Sequence, residues 1–265
     1  MRDLFLKKRG VSLCVLAAAL VATTPRCIQA QGRGGRAPAG PPRSPQASAP
    51  VDLTGYWVAL VTEDWRWRMV TPAKGDFASV PLNPEGRRVG EAWDPDKDIA
   101  AGNQCKAYGA AAIMRVPTRL HITWENENTL RIDTDAGTQT RLFHFGEAQP
   151  PAGEPAWQGN SAAAWETVGG GRGGRGGPPP QGGSLKVVTT HMRAGYLRKN
   201  GVPYSENTML TEYYDRTMEP DGNSYLIVTT IVEDPKYLQQ PFITSTHFKR
   251  QADATGWNPT PCEAK

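Results

Sequence analysis

The amino-acid sequence predicts an all-β, mainly antiparallel protein of eight or nine strands with a short helical insertion. Three observations carry this. First, Ser184 to Arg250 holds four consecutive segments, SLKVVTTHM, NTMLTEYYDR, SYLIVTTIVED and FITSTHFKR. They are rich in Val, Ile, Thr, Tyr and Phe, residue types that fit a pleated, half-buried surface. Second, the turn Glu219-Pro220-Asp221-Gly222-Asn223 is short, so the strands it joins are antiparallel neighbours. Third, the same pattern recurs upstream in three shorter segments. Strands in this number, over about 215 residues, suit an up-and-down barrel or a sandwich.

The first thirty residues are not read as fold. Arg2, Lys7, Lys8 and Arg9 precede an apolar run from Val11 to Ala22, and Ile28-Gln29-Ala30 is a small-residue cleavage site. Together these read as a secretory signal peptide, which implies a periplasmic or secreted protein. An uncleaved membrane anchor is the competing reading, although the run is short for a span. Residues 31–50 are Gly, Pro, Ala, Arg and Ser without a large apolar side chain. Such a leader cannot bury enough surface to offset its ordering entropy. The folded domain is therefore expected over 51–265.

Charge follows the same division. The whole chain carries 30 basic and 26 acidic residues. The signal segment holds five of the bases and one of the acids, leaving 25 of each. The two low-complexity pieces hold five further arginines and no acid, so the folded part has 20 bases against 25 acids. A nucleic-acid partner needs a basic face and is not expected. No membrane span is expected after signal cleavage.

In order along the domain, a first strand opens at Asp52-Leu53-Thr54-Gly55-Tyr56-Trp57 and runs to about Val61. Asp64 to Val70 alternates again and reads as a second strand, with Trp65, Trp67 and Met69 on one face. Asn83-Pro84-Glu85 starts a helix, with an Asn cap and Pro in the first turn, and Asp94-Pro95 ends it. Residues 104–112 read as a second short helix. Strands follow over 118–124, 129–134 and 138–145, then over 162–168. Between them and the four later strands lies GGGRGGRGGPPPQGG, residues 169–183. An RNA-binding reading of that tract needs longer arrays; an expanded hairpin loop that leaves its flanking strands paired is the favoured one.

Two cysteines lie beyond the signal segment, Cys105 and Cys262. In an oxidising compartment an isolated pair reads as a disulfide, worth about 4–5 kcal/mol by loop entropy. Two separate buried thiols are the alternative.

Gly55-Tyr56-Trp57 resembles the Gly-X-Trp that opens lipocalins and other calycin barrels. The resemblance implies a calycin-like barrel with Gly55 and Trp57 at its closed end, covered by a cation from the last strand, Arg250 or Lys249. Most of the domain also resembles a group of uncharacterised secreted bacterial proteins. The residues carrying that second resemblance are Trp165-Glu166, Leu185 to Thr190, Ser205-Glu206, Leu210 to Tyr213, Asp234-Pro235 and Pro241. It implies export and this fold, and it brings no activity.

Candidate chemistry centres on one strand pair. Alternation places Glu212, Tyr214 and Arg216 on one face with Leu210, and His191 on a face with Leu185, Val187 and Thr189. Facing a barrel interior, His191, Tyr204 and Glu212 would serve as acid–base groups in a cavity enzyme. The competing reading ends His191 in solvent and leaves Glu212 in an ordinary ion pair with Arg216. The eight tryptophans are mostly core, and Trp65 and Trp67, with Tyr214 and Arg216, are the candidates for holding a small apolar or aromatic ligand. The four histidines show no metal-ligand spacing and no phosphate or dinucleotide loop is present, so neither a metal nor a cofactor is expected. Ligand carrier, cavity enzyme and cavity-free structural protein of the envelope thus remain as three readings, with the carrier preferred.

Overall fold

Nine strands close into a barrel. In the computed structural model, residues 43–146, 153–167 and 182–265 are described. The stretch read as a signal peptide, most of the stretch read as a leader and nearly all of the Gly/Arg-rich tract lie outside those residues. Strands β1 (Gly55–Leu60), β2 (Arg119–Asn126), β3 (Thr129–Thr134), β4 (Gln139–Phe145), β5 (Asn160–Thr167) and β6 (Gly183–Thr190) follow one another around the ring. After a small hairpin of β7 (Gly195–Arg198) and β8 (Val202–Tyr204), the ring resumes with β9 (Met209–Met218), β10 (Ser224–Glu233) and β11 (Phe242–Gln251). Strand β11 pairs back onto β1, with Trp57 opposite Arg250.

One neighbouring pair, β4 and β5, is parallel, and the others are antiparallel. This follows from parity. Going once round a closed ring, the strand direction must return to itself. An odd number of strands therefore cannot alternate throughout. β5 therefore starts from the same end of the barrel as β4. β5 and β6 stay paired up to Thr167 opposite Gly183 on either side of the Gly/Arg-rich tract.

The inward face is the apolar one predicted by period-two alternation. Trp57, Ile122, Ile132, Phe143, Val187, Tyr214, Val228 and Phe248 all belong to one contiguous buried cluster inside the barrel. One end, at the start of β1, is crossed by residues 45–53. The Trp165 indole donates to Pro45 O at 3.0 Å, Gln46 N donates to Glu127 O, and Leu53 is buried on the core. Thus part of the stretch assigned to the leader packs against the barrel.

The opposite end carries the insertion between β1 and β2: α1 (Trp65–Arg68), α2 (Pro84–Glu91), α3 (Pro95–Ala100), a 3-10 turn (Gln104–Tyr108) and α4 (Ala110–Ile113). Together with the β7–β8 hairpin it forms a cap over a second buried cluster that includes Leu82, Leu197, Val202, Tyr204 and Phe242. As the Asn-Pro signal predicts, the Asn83 side chain accepts from Gly86 N at 2.8 Å. The expected second strand at 64–70 is instead the single turn α1. Asp64 has φ 52°, a left-handed conformation that no strand tolerates, and its carbonyl accepts from Trp67 N and Arg68 N. Helix α3 and the β7–β8 hairpin were not predicted. Cys105 and Cys262 are bridged, with Cα atoms 5.1 Å apart. The bridge fixes the C-terminal tail, which returns from β11 to the capped end.

Candidate functional site

Trp57 anchors the end opposite the cap. Its indole donates to Leu53 O at 2.9 Å, and the ring is fully buried. The Arg250 guanidinium lies 5.2 Å from the ring centroid, and that of Arg216 lies 5.9 Å away. Gly55, at φ +108°, leaves the space that Arg250 fills; a Cβ there would overlap the guanidinium. Arg216, expected among ligand residues, is held by Ser224 Oγ at 2.8 Å and belongs to this closure.

Inside the barrel, Arg141 of β4 reaches across to Glu212 of β9. Two charge-assisted bonds of 2.7 and 2.9 Å join them, with both side chains at 0 % exposure. The Tyr214 hydroxyl donates to Glu212 at 3.1 Å, and Arg141 also donates to Tyr214 Oη and Thr189 Oγ1. Burial works to lower the Arg141 pKa, but Glu212 and Tyr214 outweigh it, so the guanidinium stays charged well above its ordinary value. Burial, reinforced by the Glu212 charge, pushes the Tyr214 hydroxyl far up. This internal strut engages both Glu212 oxygens and the Tyr214 hydroxyl, and the buried Arg141 Nε has no partner among the described residues.

The three residues expected to act together as acid–base groups occupy three places. His191 has φ 57°, which breaks the strand alternation after Thr190, and its ring bonds Gly153 O at 2.9 Å. Tyr204 is wedged in the cap, where its buried hydroxyl has no hydrogen-bond partner among the described residues and burial drives its pKa upward. Among the described residues, none of the three bonds another.

A cleft of about 400 Å³ opens at the capped end, between α1, the turn before α4, the β7–β8 hairpin and the tail. Trp67 and Tyr108 give it aromatic walls, and Glu263 and Thr260 of the tail border it. Trp65, on the other side of α1, is 63 % exposed and outside the lining. Helical geometry separates the two rings that strand alternation would have placed together.

No family model matches this chain, and no curated protein or solved structure matches it. The site therefore rests on its own geometry.

That geometry includes cations the sequence reasoning passed over. Arg68, Arg115 and Arg198 all line the cleft, and each is more than nine-tenths buried. Arg68 pairs with Glu63 and donates to Arg115 O at 2.9 Å. Arg115 pairs with Asp64 at 2.8 Å. Arg198 donates to Ala78 O at 2.7 Å and lies 5.0 Å over the Trp67 ring, with no ion pair among the described residues. Burial first, then the Arg115 charge, lowers its pKa to about 10. Arg68 hides in the sequence because WRWR reads as a strand with arginines outward. Arg198 sits in a hairpin too short to signal itself. Arg141 was findable: it shares an alternation face with Phe143, as Glu212 does with Leu210 and Tyr214.

Proposed function

We propose that this is a ligand-binding barrel whose site is the cleft at its capped end, and that it works in the periplasm or outside the cell. The single observation that carries this is the cleft itself. Its volume of about 400 Å³ falls within the range of small-molecule sites, and it joins aromatic walls to a few polar groups, the usual make-up of such a site. Trp67 and Tyr108 suit a flat or aromatic body.

The calycin likeness supports the same reading through Gly55, Trp57 and Arg250, which stand at the barrel end opposite the cleft. Calycin barrels hold ligands inside; here the interior carries the Arg141–Glu212 strut and the packed core, so the ligand is assigned to the cap. The disulfide is consistent with an exported protein.

Native mass spectrometry of the exported, never-refolded protein tests the proposal. A reproducible extra mass, lost on denaturation and absent from a Trp67→Ala variant that keeps its far-ultraviolet spectrum, is the expected result. A bare polypeptide mass, together with no shift in Tm against a panel of small aromatic compounds, would overturn it.

A further inference from the structure

We infer that the cleft is an anion site, with Arg198 as its anchor and Arg115 and Arg68 beside it, so that the ligand carries a carboxylate or phosphate group. This rests on the reading of the cleft as a ligand site and names the chemistry of what enters it.

A buried charge is stable only when paired or fully hydrogen-bonded. The cleft holds three buried guanidinium groups, and among the described residues two carboxylates, Glu63 and Asp64, pair with them. Glu63 is also shared: its other oxygen lies 3.1 Å from His247 Nδ1. Lys199, a fourth cation on the lining, has a loose 3.8 Å pair with the exposed Glu263 and lies 5.1 Å over the Tyr108 ring. Arg198 bonds a single carbonyl and lies over an aromatic face, while Asp64 and Asp76 act on it without an ion pair among the described residues.

The hydrogen-bond ledger agrees. Arg68 Nη2, Arg115 Nη1, and both Nε and Nη2 of Arg198 are buried without a partner among the described residues. Each such donor costs its full desolvation if it stays unmet. Single unmet guanidinium donors occur elsewhere, at Arg119 and Arg141, but four from three side chains gather around this one cleft. The Nε and Nη2 pair of a guanidinium is a fork that matches two oxygens of a carboxylate or phosphate. Trp67, beneath Arg198, would flank the aromatic or apolar body of such a ligand.

Glu63 and Asp64 explain why the cleft is not flooded with positive charge. They neutralise Arg68 and Arg115 and leave a net attraction centred on Arg198. Asp76 acts on Arg198 without bonding it, so the open fork of Arg198 is still there for an anionic group.

Benzoate, phenyl phosphate and neutral benzamide are the probes, titrated into the intact, disulfide-bonded protein by calorimetry. One or both acids should bind more tightly than benzamide by about tenfold or more. Arg198→Met should bring the acids down to the benzamide level, and Arg198→Lys should restore part of the difference, since it keeps the charge without the fork. The ranking of benzoate against phenyl phosphate assigns the oxyanion. Equal binding of all three, or an Arg198→Met variant that still prefers acids, overturns the anion site and leaves the cleft reading standing. No binding of any probe to the wild-type protein overturns both. Far-ultraviolet spectra of the variants separate lost binding from lost fold.

Discussion

Arg141 and Glu212 are withdrawn from water together, and each is tolerable only because of the other. Removing one partner of a fully buried pair strands a charge, so Arg141→Met alone should destabilise the barrel by about 3–5 kcal/mol. The double replacement Arg141→Met with Glu212→Leu should recover most of that loss, because an apolar pair of similar volume avoids the desolvation altogether. Urea unfolding of the two single variants and the double variant measures the coupling. A double variant no more stable than Arg141→Met would show that the strut does more than balance charge. Arg198 presents the opposite case. Its folded pKa of about 10 lies below its unfolded value, so holding it charged at neutral pH opposes folding, and that penalty lifts as pH rises through 10. Arg198→Met should therefore leave Tm unchanged or raise it, even as it removes acid binding. For the same reason, acid affinity should fall as pH passes about 10 in the wild-type protein, where Arg115, Asp64 and Asp76 also bear on Arg198. In Arg198→Met that step should be missing.

At the scale of elements, the cap is where the chain departs from a simple meander. The turn before α4 and the β7–β8 hairpin meet around Tyr204, which needs a glycine beside it. A Cβ at Gly109 would run into the Tyr204 hydroxyl. Gly109→Ala should therefore loosen the cap and enlarge the cleft, lowering Tm while the β-sheet spectrum persists; Gly109→Ala combined with Tyr204→Phe should regain part of the loss. The strands of the barrel were legible because alternation and turn chemistry act locally. The bounds expected at 129–134 are those found, and the turn at Glu219 to Asn223 closes through Gly222 N donating to Glu219 O at 3.0 Å. The cap was not legible. One left-handed residue, Asp64, converts an alternating WRWR into a helical turn, and nothing in its neighbours announces that. Helix α3 and the hairpin are only six, four and three residues long, too short for any period to register.

For the molecule as a whole, the bridge between Cys105 and Cys262 spans 157 positions of sequence. By loop entropy, its loss should lower stability by about 4–5 kcal/mol at most. The tail it holds also borders the cleft, so Cys262→Ser should weaken ligand binding as well as lower Tm. A variant that lost stability but bound with unchanged affinity would show that the tail is only a fastening. The two halves of the site thus came from different kinds of information. Aromatic walls could be suspected from composition, whereas the convergence of Arg68, Arg115 and Arg198 depends on three segments meeting in space.

The closure of β1 against β11 sets an order of events for a chain that emerges from a ribosome one residue at a time. The strand made first finds one of its two neighbours only after the strand made last has appeared. Until then β1 has an open edge, Trp57 has no Arg250 above it, and Glu63 of the cleft has no His247 beside it. The cleft waits longer still, because Thr260, Cys262 and Glu263 follow β11. A ligand should therefore meet only finished molecules, and a chain arrested before β11 should be recognised by proteases as unfolded throughout.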